Sequence, residues 1–431
     1  MIADQAPEPS AAEDETTPAR DDEGVSLPVL EPRQGIPPVT DSPEGLARAL
    51  EALAAAEGPV AVDAERASGY RYGQRAYLLQ FHRRGAGTWL VDPIALPDLT
   101  GLQSALGHEE WVLHAASQDL PCLRELGLRP GSLFDTEVAG RLLGRERVGL
   151  GPLVESELGY LLEKGHGSAD WSTRPLPESW LRYAALDVEV LLDLRDRLAA
   201  DLTGTGKDGW AQEEFAALLA AAPAPPRADP WRRTSGIHVV RGRRSLAAVR
   251  ERWIELDALA QLRDTIPGRI LPDASIVAAA RALPESRDAL ASLPEVQRPA
   301  ARRTVARWWA ALERAAAIPE SDLPPMTLPG DGPPPPRLWA DRDPDAAARL
   351  TAARAYLAAL SEEVGTPVEN LAPPDAVRRV LWQPPADESP QGVRAALVGL
   401  GARPWQAALI GDGIAAALQE RAPDGSPSLR S

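Results

Sequence analysis

The run Pro59-Val60-Ala61-Val62-Asp63-Ala64-Glu65 joins a β-branched apolar stretch to two acids. A strand of that composition is buried, and its period of two puts Asp63 and Glu65 on one face. Carboxylates on one face repel each other, but a hard divalent cation such as Mg²⁺ or Mn²⁺ between their oxygens makes the arrangement favourable. Taken alone, such a pair is more often the solvated end of a strand. Two further acids change the reading. Asp119 falls in the first turn of a helix behind a short strand at 111–114. Asp187 lies on a long helix where Tyr183, four residues earlier, shares its face. Four carboxylates and a tyrosine are the components of a two-metal phosphodiester hydrolase, in which one ion activates the attacking water and the other stabilises the leaving oxygen. Tyr183, with an ordinary pKa of about 10, is better suited to orienting that water than to deprotonating it.

These residues need a scaffold, and hydrophobic periodicity supplies one. Ser42-Pro43-Glu44 opens a helix carrying Leu46, Leu50 and Leu53, closed by Gly58-Pro59. After the acidic strand, 77–81 and 89–92 form a hairpin around Arg84-Gly85-Ala86-Gly87. A helix at 96–106 precedes the strand 111–114, and Ser117 is placed to cap the helix bearing Asp119. A strand at 133–136 leads into a helix at 137–143, with Asp135 read as its cap. The stretch around Gly149, Gly151, Gly165 and Gly167 reads as loop, and 178–202 as one long helix. Mixed strands and helices define an α/β domain, bounded at 36–222.

The remaining chain divides by composition. Residues 1–35 read as a disordered acidic tail, since 1–31 carry nine acids and one Arg. Residues 229–318 hold sixteen Arg against ten acids and read as a basic helical bundle, although the whole chain has a net charge of −16. Within it, Arg241 to Arg244 read equally as solvated or phosphate-contacting, and Trp308-Trp309 as core. Eight prolines make 319–336 a linker, 337–420 is a second helical set, and 421–431 a tail. Gly149-Leu150-Gly151 and Gly411-Asp412-Gly413 read as turns. A single cysteine, Cys122, leaves no internal disulfide partner, and no run of apolar residues is long enough for a membrane span. The expected setting is therefore cytoplasmic.

Val-Asp-Ala-Glu at 62–65, His-Ala-Ala-Ser-Gln-Asp-Leu at 114–120 and Tyr-Ala-Ala-Leu-Asp-Val at 183–188 resemble the three exonuclease motifs of ribonuclease D. That family belongs to the DEDD superfamily of 3′-to-5′ exonucleases, in the subgroup with Tyr-x-x-x-Asp in its third motif. Trp-Ser-Thr-Arg-Pro-Leu at 171–176 is similar to the segment preceding that motif, and 229–318 resembles the HRDC (helicase and RNase D C-terminal) module. The resemblance implies an α/β, ribonuclease H-like domain with a mixed five-stranded sheet, followed by one or two all-α HRDC-type modules. It also implies two Mg²⁺ or Mn²⁺ ions and removal of mononucleotides from the 3′ end of single-stranded RNA, tRNA precursors among the substrates. On this basis Asp63, Glu65, Asp119 and Asp187 are the ligands and, with Tyr183, the catalytic set. Ala64, Gln80, His114 and Arg174 would lie near substrate, although His114 reads equally as an ordinary buried histidine. Ala64, Arg66 and Ala67 depart from the commonest residues around the first motif. Two other readings remain open: a DNA exonuclease, and a nucleic-acid-binding protein with a decayed nuclease domain.

Overall fold

The strand carrying Asp63 and Glu65 is at the centre of a mixed sheet. The strands are β1 (Val39–Thr40), β2 (Val60–Arg66), β3 (Ala76–Arg83), β4 (Gly87–Val91), β5 (Glu110–Leu113) and β6 (Ser132–Asp135). Their order is β1-β4-β3-β2-β5-β6. β2 pairs antiparallel with β3 and parallel with β5, so a hairpin flanks it on one side and a crossover on the other. The structure, a computed structural model, describes residues 27–422 apart from 97, 164, 224, 226, 298–302, 329 and 331. The sheet has six strands rather than the expected five, because the two-residue β1 adds to the edge of β4. Every residue of β3 is buried, including Arg83. Burying that cation is tolerable because it donates to the carbonyls of Gly58 and Leu53 and pairs with Glu109 at 2.8 Å.

The helices of this part are α1 (Pro43–Ala55), α2 (Thr100–Leu106), α3 (Leu120–Glu125), α4 (Thr136–Leu142), α5 (Leu150–Leu158), α6 (Glu178–Glu189), α7 (Leu191–Gly204) and α8 (Asp208–Ala220). Local signals set α1: the Ser42 hydroxyl accepts the Gly45 N–H, and Leu46, Ala49 and Leu53 make up its buried face. Elsewhere tertiary contacts overrode them. Asp119, not Ser117, is the cap residue of α3, and its side chain makes no capping bond. The single helix expected over 178–202 is two, parted at Val190, with the buried Glu189 beside the break accepting from Thr88 and the Arg33 N–H. Part of the stretch read as loop is helical, with Gly149 as the cap of α5 and Gly151 inside it. Residues 27–35, expected to be disordered, are tied down: Val29 bridges Leu161, Arg182 pairs with Glu31, and Arg33 with Asp193. Residues 1–26 and 423–431 lie outside the described ones.

Two helical sets follow, and they are anchored differently. The helices Arg243–Arg263, Asp273–Ala282 and Val305–Ala317 enclose a core of their own around Trp308, Leu256 and Ile276. Arg243 and Arg244 do not form a phosphate-ready face. They donate to the carbonyls of Leu323, Ala315 and Ile318, satisfying groups at and beyond the end of the last helix. The later helices, from Trp339 to Ala417, share one continuous core with the sheet domain. Trp405 stacks on Trp210 with centroids 4.6 Å apart, and the buried Lys207 ammonium donates to the carbonyls of Leu142 and Gly365 and to Thr366. Gly411 and Gly413, read as a turn, sit inside the helix Pro404–Ala417. A Cβ at Gly413 would fall 2.1 Å from the Tyr356 ring, so glycine there permits close helix packing.

Candidate functional site

Three separate elements bring the acids together. β2 contributes Asp63 and Glu65, α6 contributes Asp187, and carboxylate oxygens of these three lie within 4.8 Å of one another. α6 packs against β2, β3 and β4, and this places Asp187 above the strand. Asp119, at the head of α3, stands beside this group rather than in it, with its carboxylate turned to Arg66 at 3.2 Å. Tyr183, one turn before Asp187 on α6, stands where the charges of Asp187, Glu65 and Asp63 bear on its hydroxyl. Its ring is fixed among His166 and Trp171, and a Cβ on Gly167 would come within 3.4 Å of its hydroxyl.

The cost of this arrangement shows in the titration of its members. Burial raises Asp63, and burial followed by repulsion from Asp63 and Asp187 raises Glu65 well above the carboxylate range. Asp187 is raised well above that range by burial and then by Asp63. Asp119 is pushed up to about 8, again by burial first and Asp63 second. Burial and the neighbouring carboxylates also drive the Tyr183 phenol above its ordinary value, so it keeps its proton at neutral pH. Among the described residues, this is the one cluster of three or more acids and other ligating side chains close enough to share a metal ion. Its donors are all hard oxygens, the type that Mg²⁺ and Mn²⁺ prefer.

The other residues expected near substrate fare differently. Arg174 is committed to structure: its guanidinium grips Asp92 through two bonds of 2.6 and 2.9 Å and also donates to the carbonyls of Tyr77, Trp171 and Thr173. It has no donor nitrogen left over for a phosphate. His114 is a partly buried residue bonded to Thr136 at 2.9 Å, and burial lowers its pKa to about 4, so it carries no charge to offer. The Ala64 side chain is in the core, packed away from the acids' oxygens by strand alternation. Gln80 sits opposite Asp63 in the β2–β3 register, fully buried, and neither of its amide atoms has a hydrogen-bond partner among the described residues.

Asp135, read as a cap, does more than cap. It accepts from Glu137 and Val138 at the start of α4, and also from the N–H groups of Ala115 and Ala116 at 3.2 and 2.8 Å. Ala115 has φ of 56°, a left-handed conformation that costs a non-glycine residue, and Asp135 fixes the turn that delivers Asp119. Sequence reasoning also missed His166 and Gly167, which cover Tyr183. A lone histidine in a glycine-rich stretch gave no signal of that contact.

A family model described as a 3′-5′ exonuclease matches residues 38–203, one described as an HRDC domain 246–312, and one described as a 3′ to 5′ exonuclease C-terminal domain 332–418. Fold and site therefore define a protein of the 3′-to-5′ exonuclease class with helical modules. Ribonuclease D of Shewanella sp. (strain ANA-3) is 33% identical over 213 residues, covering 48% of this chain and 54% of that protein, so the chain spans about half the length of the curated relatives it matches. A protein from Bifidobacterium adolescentis of solved structure is 37% identical over 91% of this chain and 100% of that one, with a TM-score of 0.85. Escherichia coli RNase D is 25% identical over 84% and 98%, with a TM-score of 0.62. The chain belongs to the ribonuclease D family.

Proposed function

We propose that this chain is a divalent-cation-dependent 3′-to-5′ exoribonuclease that removes mononucleotides from the 3′ end of single-stranded RNA, with tRNA and other stable RNA precursors as substrates and the cytoplasm as its setting. The convergence of Asp63, Glu65 and Asp187 within 4.8 Å, with Asp119 and Tyr183 beside them, carries the reading. Asp63, Glu65, Asp119 and Asp187 would hold two ions, Mg²⁺ or Mn²⁺. When bound, these ions supply activation of the attacking water and charge that stabilises the leaving oxygen. Burial and mutual repulsion make the four carboxylates costly without such charge, which is the physical reason to assign them this role.

Tyr183 keeps its proton and therefore works as a donor and orienting group, not as a base. In the working site its hydroxyl would face the attacking water, while His166 and Trp171 flank the ring. The substrate class draws support from the likeness to Escherichia coli RNase D, described as an exoribonuclease involved in structured RNA processing. The basic helical module, with exposed Arg263, Arg281 and Arg287 lacking carboxylate partners among the described residues, would hold RNA away from the chemistry.

The test is digestion of 3′-labelled RNA and matched DNA oligonucleotides by the purified chain, with and without chelator. Mononucleotide release from RNA that requires Mg²⁺ or Mn²⁺ is expected. Equal digestion of both polymers would favour a DNA exonuclease, and absence of any release would favour a binding protein with a decayed nuclease.

A further inference from the structure

Arg66 follows Glu65 directly, and an unbroken strand would point it to the face opposite the acids. The pairing with β3 slips at this point: Glu65 lies opposite Leu78, but Arg66 lies opposite Ala76. An irregularity of this kind bends a strand and re-aims a side chain. The Arg66 guanidinium reaches the head of α3, where one nitrogen lies 3.2 Å from Asp119 Oδ1 and the other donates to the Gln118 carbonyl. The ion pair is largely shielded, with 21% of the Arg66 side chain exposed and 6% of Asp119. Its charge is felt by Asp63 and Glu65 as well as by Asp119.

We propose that Arg66 is a positioning residue that competes with a divalent cation for Asp119, holding this carboxylate in the cation-free protein and yielding it when the site fills. The inference rests on the reading of the four acids as a cation site. Asp119 stands outside the tight group of Asp63, Glu65 and Asp187, and Arg66 is the cation that engages it. Once released, the guanidinium is a planar fork whose geometry fits phosphate oxygens, so an incoming phosphodiester is the ligand that takes it over. Cation and RNA then favour each other's binding. Each draws off one partner of the same ion pair.

Binding of Mn²⁺ to the full chain without RNA, followed calorimetrically at about pH 8, where a substantial share of Asp119 is ionised, separates the possibilities. Arg66→Met removes the competing charge and keeps the aliphatic stem, so Mn²⁺ affinity should rise about tenfold or more. Arg66→Lys keeps the charge and should stay near wild type. In an Asp119→Asn background, Arg66→Met should lose most of its gain, because the two side chains act through one contact. Unchanged or weaker Mn²⁺ binding by Arg66→Met, or an equal gain in the Asp119→Asn background, would overturn the proposal. If neither wild type nor Arg66→Met binds Mn²⁺ while both melt cooperatively, the cation site itself is refuted, and the inference with it.

Discussion

Replacing Asp63 by Asn removes one of three carboxylates crowded within 4.8 Å while preserving the side chain's size. Two unit charges at 4.8 Å repel by about 3.5 kcal/mol at an effective dielectric constant of about 20. Asp63 faces two such neighbours, and burial raises Glu65 and Asp187 well above the ordinary range, which opposes their ionisation and makes the full pairwise figure an upper bound. Relief of roughly one partial pair makes the cation-free Asp63→Asn variant more stable by about 1–3 kcal/mol. For a domain of about 200 residues that corresponds to a rise in Tm of about 2–12 °C. Melting in chelator at pH 8 measures it, and the same protein should release no mononucleotide in Mg²⁺. Added Mn²⁺ should raise the wild-type Tm and leave the variant nearly unchanged, since the ligand set is then incomplete. A variant that melts lower in chelator, or that cleaves RNA at the wild-type rate, would refute both the charge argument and the assignment of Asp63 to the site.

Tyr183→Phe should lower turnover by about 10² or more with Mn²⁺ affinity little changed, because it deletes the orienting hydroxyl and keeps the packed ring; near-normal turnover in a steady-state assay would remove Tyr183 from the mechanism. Asp135→Asn turns one carboxylate oxygen into an amide facing the Ala116 N–H, so urea unfolding should show a loss of about 1–3 kcal/mol, and an unchanged midpoint would mean the turn before Asp119 is held by other contacts. The pH dependence has a definite sign. The folded value of Asp119, about 8, lies above its ordinary 3.8, so its contribution to cation-free stability is full below 3.8 and is lost as pH rises through about 8. Asp119→Asn should remove that part of the slope in chelator, and an identical pH profile for variant and wild type would contradict the shift. Substituting Arg263, Arg281 and Arg287 together by Ser should weaken binding of long RNA and flatten the plot of log affinity against log salt by about 0.7 for each phosphate no longer neutralised; an unchanged slope would assign these arginines to solvent.

Local pattern carried the reading wherever the physics is local. Strand alternation put Asp63 and Glu65 on one face, the helical repeat placed Tyr183 over Asp187, and Ser42-Pro43 started α1 where backbone N–H groups need an acceptor. The order of the motifs then pointed to the family before any geometry was available. Partner choice was decided by the tertiary structure, because a charged side chain pairs with whatever folding brings within about 3 Å, whatever the distance along the chain. Arg174 was read as a substrate contact, yet Asp92, 82 residues away, claims it. Arg243 and Arg244 were read from charge alone, yet the carbonyls at and beyond a helix end about 70 residues on take up their donors. Asp135 reaches back 20 residues to hold the turn before Asp119. A register slip between β2 and β3, set by the pairing of two strands and absent from the periodicity of either, turned Arg66 toward the acids. Sequence thus determined which groups could do the chemistry. The three-dimensional fold decided which cations were already spoken for and which one stands at the site.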